Sequence, residues 1–201
     1  MEINNFCNDI YHDLTSDDFL VCAIGFEERS SYLLGKNINT RNQQNTLVVF
    51  FDDFGHEKWF VNLDKRITEL GIRREYCSYG DSDSFVDYVL ECIKKSSQDM
   101  HFYIDYSSMP RSWYCGLLFE VNRKLKDYEN LTLHFLYTAG NYPEKFSACG
   151  IGSLSCFVGK MLPSLEPNKL YIIALGYDVE RTQSIISKLE PDSLWACYAY
   201  T

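Results

Sequence analysis

Between residues 19 and 137 the chain alternates between apolar, β-rich runs and stretches of helical spacing, and this alternation restricts its fold more than any other feature. The β-rich runs fall at 19–24, 46–51, 73–79, 101–106 and 131–137. The first two are almost unbroken apolar sequences, the pattern of strands buried on both faces. Helical stretches separate them. The stretch at 56–70 sets Trp59, Leu63, Ile67 and Leu70 on one face and closes at Gly71. The next opens on Asp81-Ser82-Asp83-Ser84 and carries Phe85, Val86, Val89, Leu90 and Ile93 as its stripe. The order βαβαβαβαβ predicts an α/β fold with one parallel sheet covered by helices on both faces. Sheets of this kind take ligands beyond the carboxyl ends of their strands. The turns at 25–31, 52–56, 79–83, 106–112 and 138–143 are therefore the places to look for a site.

The turn after the fourth strand is the most distinctive. His101–Cys115 reads HFYIDYSSMPRSWYC. It runs from strand through a short polar turn into a helix, with Pro110 near the first helical turn, where a missing N–H costs nothing. Ser107, Ser108 and Arg111 bring two hydroxyls and a guanidinium to a helix N-terminus, a plausible cradle for an anion. The alternative is that the serines cap the helix and Arg111 is solvated. Asp105 lies inside the apolar strand, so burial would raise its pKa and a neighbouring arginine would lower it.

The turn after the first strand reads Gly25-Phe26-Glu27-Glu28-Arg29-Ser30-Ser31. Gly25 permits a tight exit from the strand. Glu28 suits the positive end of a helix. Arg29 either reaches the crevice or pairs with Glu27 or Glu28. The single glycine does not make a GxGxxG fingerprint, and there is no GxxxxGK[ST] phosphate loop. Asn141 and Tyr142, after the fifth strand, complete the set of residues expected around a ligand.

An internal echo appears near the end of the chain. Ala23-Ile24-Gly25-Phe26-Glu27-Glu28-Arg29-Ser30 is repeated, with one insertion, by Ala174-Leu175-Gly176-Tyr177-Asp178-Val179-Glu180-Arg181-Thr182. Both follow an apolar strand and open a helix. The expected organisation is a first domain at 1–143, a connector at 144–168 rich in turn residues, and a β-α-β opening of a second similar unit at 169–201. The second copy lacks its later strands: either it completes the first sheet or the chain is a fragment of a longer protein, and the fragment is the expectation.

Composition narrows the partners. The formal charge of −9 makes the chain a poor binder of long DNA or RNA. It leaves room for a small nucleotide held by local donors. No run of apolar residues reaches membrane-spanning length, so no membrane partner is expected. The acidic N-terminus lacks a signal pattern, and the expected location is the cytoplasm. The eight cysteines form no CxxC pair and read as structural thiols. The four histidines are not spaced as zinc ligands, so neither a metal nor a cofactor is expected.

The arrangement from 19 to 142 resembles the CARF domains (CRISPR-associated Rossmann fold), sensors of cyclic oligoadenylates. The likeness rests on the loop at 25–31, the strand Val48-Val49-Phe50-Phe51, the unit near 78–83 and the hydroxyl-bearing turn at 105–111. That turn is similar to the family's Thr-Gly-Gly-Thr-Lys element. Ser107 and Ser108 stand at its hydroxyl positions and Arg111 near its basic one. Ser108 and Met109 replace the glycines. The resemblance implies a Rossmann-like fold, a homodimer or an effector domain beyond this chain, and a role in antiviral defence.

Three functional readings follow. The first is a nucleotide-sensing domain, with Gly25, Phe26, Arg29, Ser30, Ser107, Ser108, Arg111, Asn141 and Tyr142 around a small anionic nucleotide. The second is an enzyme that hydrolyses a nucleotide or its glycosidic bond. Its candidate acids are Glu27, Glu28, Asp52, Asp53 and Asp105, with Asp105 and Glu28 foremost. The third is a protein-interaction scaffold, in which some of the many aromatic residues form exposed patches.

Overall fold

The computed structural model describes residues 15, 18–25, 27–37, 43–54, 58–95, 101–124, 131–138, 170–174 and 179–197. The chain divides after Gly140 into two compact units, where the sequence had suggested 143.

The first unit is Rossmann-like. Strands β1 (Phe19–Ile24), β2 (Thr46–Phe51), β3 (Arg73–Cys77), β4 (His101–Asp105) and β5 (Thr132–Leu136) form a parallel five-stranded sheet in the order β3-β2-β1-β4-β5. β1 and β2 are buried at every position, which explains their unbroken apolar sequences. β3 is the edge strand beside β2. Its Arg73 pairs with Glu75 and Glu91 at 2.9 and 2.6 Å, and Arg74 pairs with Asp64 at 2.6 Å. These partly exposed charges account for its weaker signal in the sequence. β3 stops at Cys77, two residues short of the sequence expectation. Tyr79 is already in a turn, where its N–H donates to Asp53 Oδ2.

Helices cover both faces. α1 (Tyr32–Asn37) and α2 (Lys58–Glu69) lie on one side, where Leu33, Leu34, Phe60 and Ile67 pack with Leu20, Cys22, Ile24, Val48 and Phe50. α3 (Ser82–Lys95) and α4 (Arg111–Arg123) lie on the other. There Phe85, Val89, Trp113 and Leu117 pack with Val21, Ala23, Val49, Phe51 and Ile104. The alternation of side chains along each strand divides the core between the two faces. Local signals set the helix ends. Gly71, at φ +68°, follows α2 in the left-handed conformation, and Ile72 N–H donates back to Ile67 O. Asp81 caps α3 by accepting from Ser84 N–H at 3.1 Å.

The second unit contains β6 (Leu170–Ala174), α5 (Val179–Leu189) and β7 (Ser193–Cys197), with the two strands parallel and in register from Leu170–Ser193 to Ala174–Cys197. This is the β-α-β order of β1, α1 and β2. Gly176, the counterpart of Gly25 in the echo, lies outside the described residues.

Among the described residues no helix is long and apolar enough to cross a membrane. Cys22, Cys77 and Cys92 are buried, Cys115 is half-buried and Cys197 is exposed. Cys7, Cys149 and Cys156 lie outside the described residues.

Candidate functional site at the β1–β4 switch point

The strand order reverses direction at β1. The chain moves outward through β2 and β3, then returns to place β4 on the other side of β1. Loops that leave two neighbouring strands in opposite directions open a crevice between them, the position where such sheets bind ligands. The loop beginning at Gly25 and the turn from Tyr106 to Pro110 flank this point.

The two loops meet closely. A Cβ built on Gly25 would lie 2.5 Å from Ser108 Oγ and 2.7 Å from the Phe51 ring. Glycine is therefore needed here for the close approach of the β4 turn. Beyond it, Glu28–Ser31 form one 3-10 turn. Arg29 pairs with Glu27, donates to Tyr137 Oη at 2.9 Å and to Thr138 O at 3.0 Å, and stands 5.3 Å from the centre of the Tyr137 ring. The sequence left Arg29 between the crevice and an ion pair. The structure gives it the Glu27 pair and uses the rest of its fork to tie the β1 loop to the end of β5.

Asp105 is the last residue of β4 and only 1% exposed. Its Oδ1 accepts from Ser107 N–H at 3.1 Å and from the Ser107 hydroxyl. Ser107 Oγ in turn accepts the Thr138 N–H at 2.7 Å. The Ser107 hydroxyl thus gives its one proton to Asp105 while a lone pair receives the Thr138 N–H. Burial pushes the Asp105 carboxyl up to about 6, against the pull of the Ser107 hydrogen bonds and the Arg29 charge. Its other oxygen, Oδ2, is buried with no hydrogen-bond partner among the described residues.

The hydroxyls of Ser30 and Ser108 are likewise buried without a partner among the described residues. Trp113 Nε1 is the fourth such atom, in the first turn of α4, where its ring packs against Phe51 and Phe85. An unsatisfied buried polar group costs about 1–3 kcal/mol, and native proteins hold few of them. Two of these four atoms belong to the loops that flank the switch point, and a third, Asp105 Oδ2, to the last residue of β4.

The start of α4 adds donors. Pro110 precedes it in an extended conformation, and no side chain caps the helix. The serines of the turn therefore do not serve as its caps, and its first N–H groups keep their positive character. Arg111 opens α4 with an exposed side chain, and its charge acts on Tyr114. Among the described residues it makes no hydrogen bond or ion pair with the β1 loop; Ser108 approaches Gly25 of that loop.

The structure thus brings together Gly25, Asp105, Ser107 and Ser108, with Arg29 as the link to β5, while Ser30 lies buried in the same β1 loop. Tyr137 and Thr138 were not singled out from the sequence. Their only signal was membership of, or adjacency to, the turn expected at the carboxyl end of the fifth strand. Phe26, Asn141 and Tyr142 lie outside the described residues, as does the side chain of Glu28. Among the described residues no group of three or more His, Cys, Asp or Glu side chains is placed to hold a metal ion. No protein family, curated protein sequence or solved structure matches the chain.

Proposed function

We propose that this chain is a nucleotide-sensing domain that holds a small anionic nucleotide at the β1–β4 switch point. The unpartnered buried polar atoms in the two flanking loops and at the end of β4 carry the reading. Ser30, Ser108 and Asp105 Oδ2 gain partners when a polar ligand enters, which converts their cost into affinity. The uncapped start of α4 suits a phosphate, and Arg111, the first residue of that helix, adds a positive charge at the same end. A role in antiviral defence and assembly as a homodimer belong to the same proposal, through the resemblance to CARF domains.

One observation favours a second reading. A buried carboxyl that titrates at about 6 is suited to transfer protons near neutrality. Asp105 would then serve hydrolysis of the bound nucleotide or of its glycosidic bond.

Thermal-shift titration of the full chain with the common mononucleotides and with linear and cyclic adenylates tests both. Stabilisation without turnover supports the sensor. Stabilisation accompanied by products on chromatography supports the enzyme. Absence of stabilisation by every compound removes the nucleotide reading.

A further inference from the structure

We infer that the ligand of this site presents a hydrogen-bond donor, a sugar hydroxyl or an amino group of the base, to Asp105 Oδ2. The inference rests on the nucleotide reading and specifies which part of a nucleotide is recognised.

The hydrogen bonds within the turn fix the carboxyl group. Ser107 occupies Oδ1 twice, through its N–H and its hydroxyl. The same hydroxyl accepts the Thr138 N–H. The plane of the carboxyl is thereby set, and Oδ2 is the oxygen left to a ligand. It is buried and without a partner among the described residues. The hydroxyls of Ser30 and Ser108 can donate or accept, so they do not discriminate between ligand groups. An ionised carboxylate can only accept. Asp105 therefore decides the polarity of the ligand atom in front of it. A ligand carrying an acceptor at that place would leave two acceptors face to face in a buried position, and sites built around one buried polar group reject analogues that cannot pair with it.

Asp105→Asn separates this role from a structural one. The asparagine Oδ1 keeps the acceptor that Ser107 requires, so its NH2 occupies the position of Oδ2. The variant presents a donor where the native chain presents an acceptor, with the same size and shape. The probes are AMP, 2′,3′-dideoxyAMP, which lacks both sugar hydroxyls, and purine riboside monophosphate, which lacks the amino group. Calorimetry at neutral pH on the full chain measures each. The expected result is a loss of about tenfold or more in AMP affinity for Asp105→Asn, with unchanged circular dichroism. One analogue should bind the native chain about tenfold more weakly than AMP, yet bind the variant no more weakly than AMP does. The dideoxy analogue in that role identifies a sugar hydroxyl, and the purine riboside identifies the amino group. Equal AMP affinity for both chains overturns the inference and leaves the nucleotide reading standing. So does a loss with each analogue that is the same in both chains, since the two changes are then uncoupled. Failure of AMP and every other nucleotide to bind the native chain overturns both.

Discussion

Gly25 and Ser108 stand so close that a single methyl group would separate them: a Cβ on Gly25 would lie 2.5 Å from Ser108 Oγ. The same methyl would lie 2.7 and 2.9 Å from two atoms of the Phe51 ring. Phe51 is fully buried and packs on Trp113 at 4.8 Å between ring centres, so it has little room to yield. Gly25→Ala is therefore expected to cost about 1–3 kcal/mol through overpacking. Urea denaturation should show a lower midpoint. Adding Ser108→Ala should restore only part of the loss, because the contact with Phe51 remains.

Ser107 acts as a positioning residue. Its hydroxyl joins Asp105 to the backbone of Thr138, which leaves it less free for a ligand than the sequence suggested. Ser107→Ala should destabilise the fold by about 1–3 kcal/mol, because it strips partners from Asp105 and from the Thr138 N–H. The Ser107 hydrogen bonds oppose the rise in the Asp105 pKa. Their partial loss should move the Asp105 titration further up, as followed by carboxyl carbon NMR.

The pH dependence of stability follows from the same carboxyl. Asp105 titrates at about 6 when folded, against an ordinary value of 3.8. Between these values the folded chain holds a proton that the unfolded chain has released. Stability contributed by the protonated group is thus lost as pH rises through this window, by about 3 kcal/mol in full, and is level above it. Glu91, Asp81 and Glu120 have lowered values and act in the opposite sense at lower pH. Comparison with Asp105→Asn isolates the contribution. The groups set against Asp105 are Arg29, Ser107, Cys22 across the β1 pairing and Leu136 across the β5 pairing. Denaturation midpoints from pH 4 to 7 should fall for the native chain relative to the variant.

The fold was legible because β1 and β2, buried on both faces, leave long apolar runs, and because amphipathic stripes mark α2 and α3. Asp105 stood out as a carboxylate within an apolar strand, a pattern visible in a single segment. The remaining geometry depends on distant parts of the chain. Arg29 meets Tyr137 across 108 residues of sequence, and Ser107 meets Thr138 across 31. Both contacts require β1, β4 and β5 to be neighbours, and no local pattern specifies that order. Gly25 was read as a turn former. Its closeness to Ser108 appears only once β4 lies beside β1.

Arg29 offers a separation of charge from geometry. Its guanidinium spans Glu27, Tyr137 Oη and Thr138 O, and its charge lowers the Asp105 pKa. Arg29→Lys retains the charge and loses the planar fork. The Asp105 titration should stay near 6, while stability falls by about 1 kcal/mol. Arg29→Met removes both and should raise the Asp105 titration. Equal Asp105 titrations in the two variants would show that the charge of Arg29 does not reach the carboxyl.

Arg111 provides the test of the anion end of the site. Its side chain is exposed at the start of α4, and it makes no hydrogen bond or ion pair among the described residues. Exposed residues without such ties usually change stability by less than about 0.5 kcal/mol when replaced, so Arg111→Ala should fold as the native chain does. A charge-assisted contact from arginine to phosphate is worth about 1.5–3 kcal/mol, and its loss should weaken nucleotide binding about 10- to 150-fold. Rising salt should narrow the difference between the two proteins, because an exposed charge is screened. The corresponding nucleoside, which has no phosphate, should bind both proteins equally. If Arg111→Ala weakens nucleoside and nucleotide alike, the residue shapes the loop and does not hold the phosphate. If it weakens neither, the phosphate is held by the first N–H groups of α4 without help from this side chain.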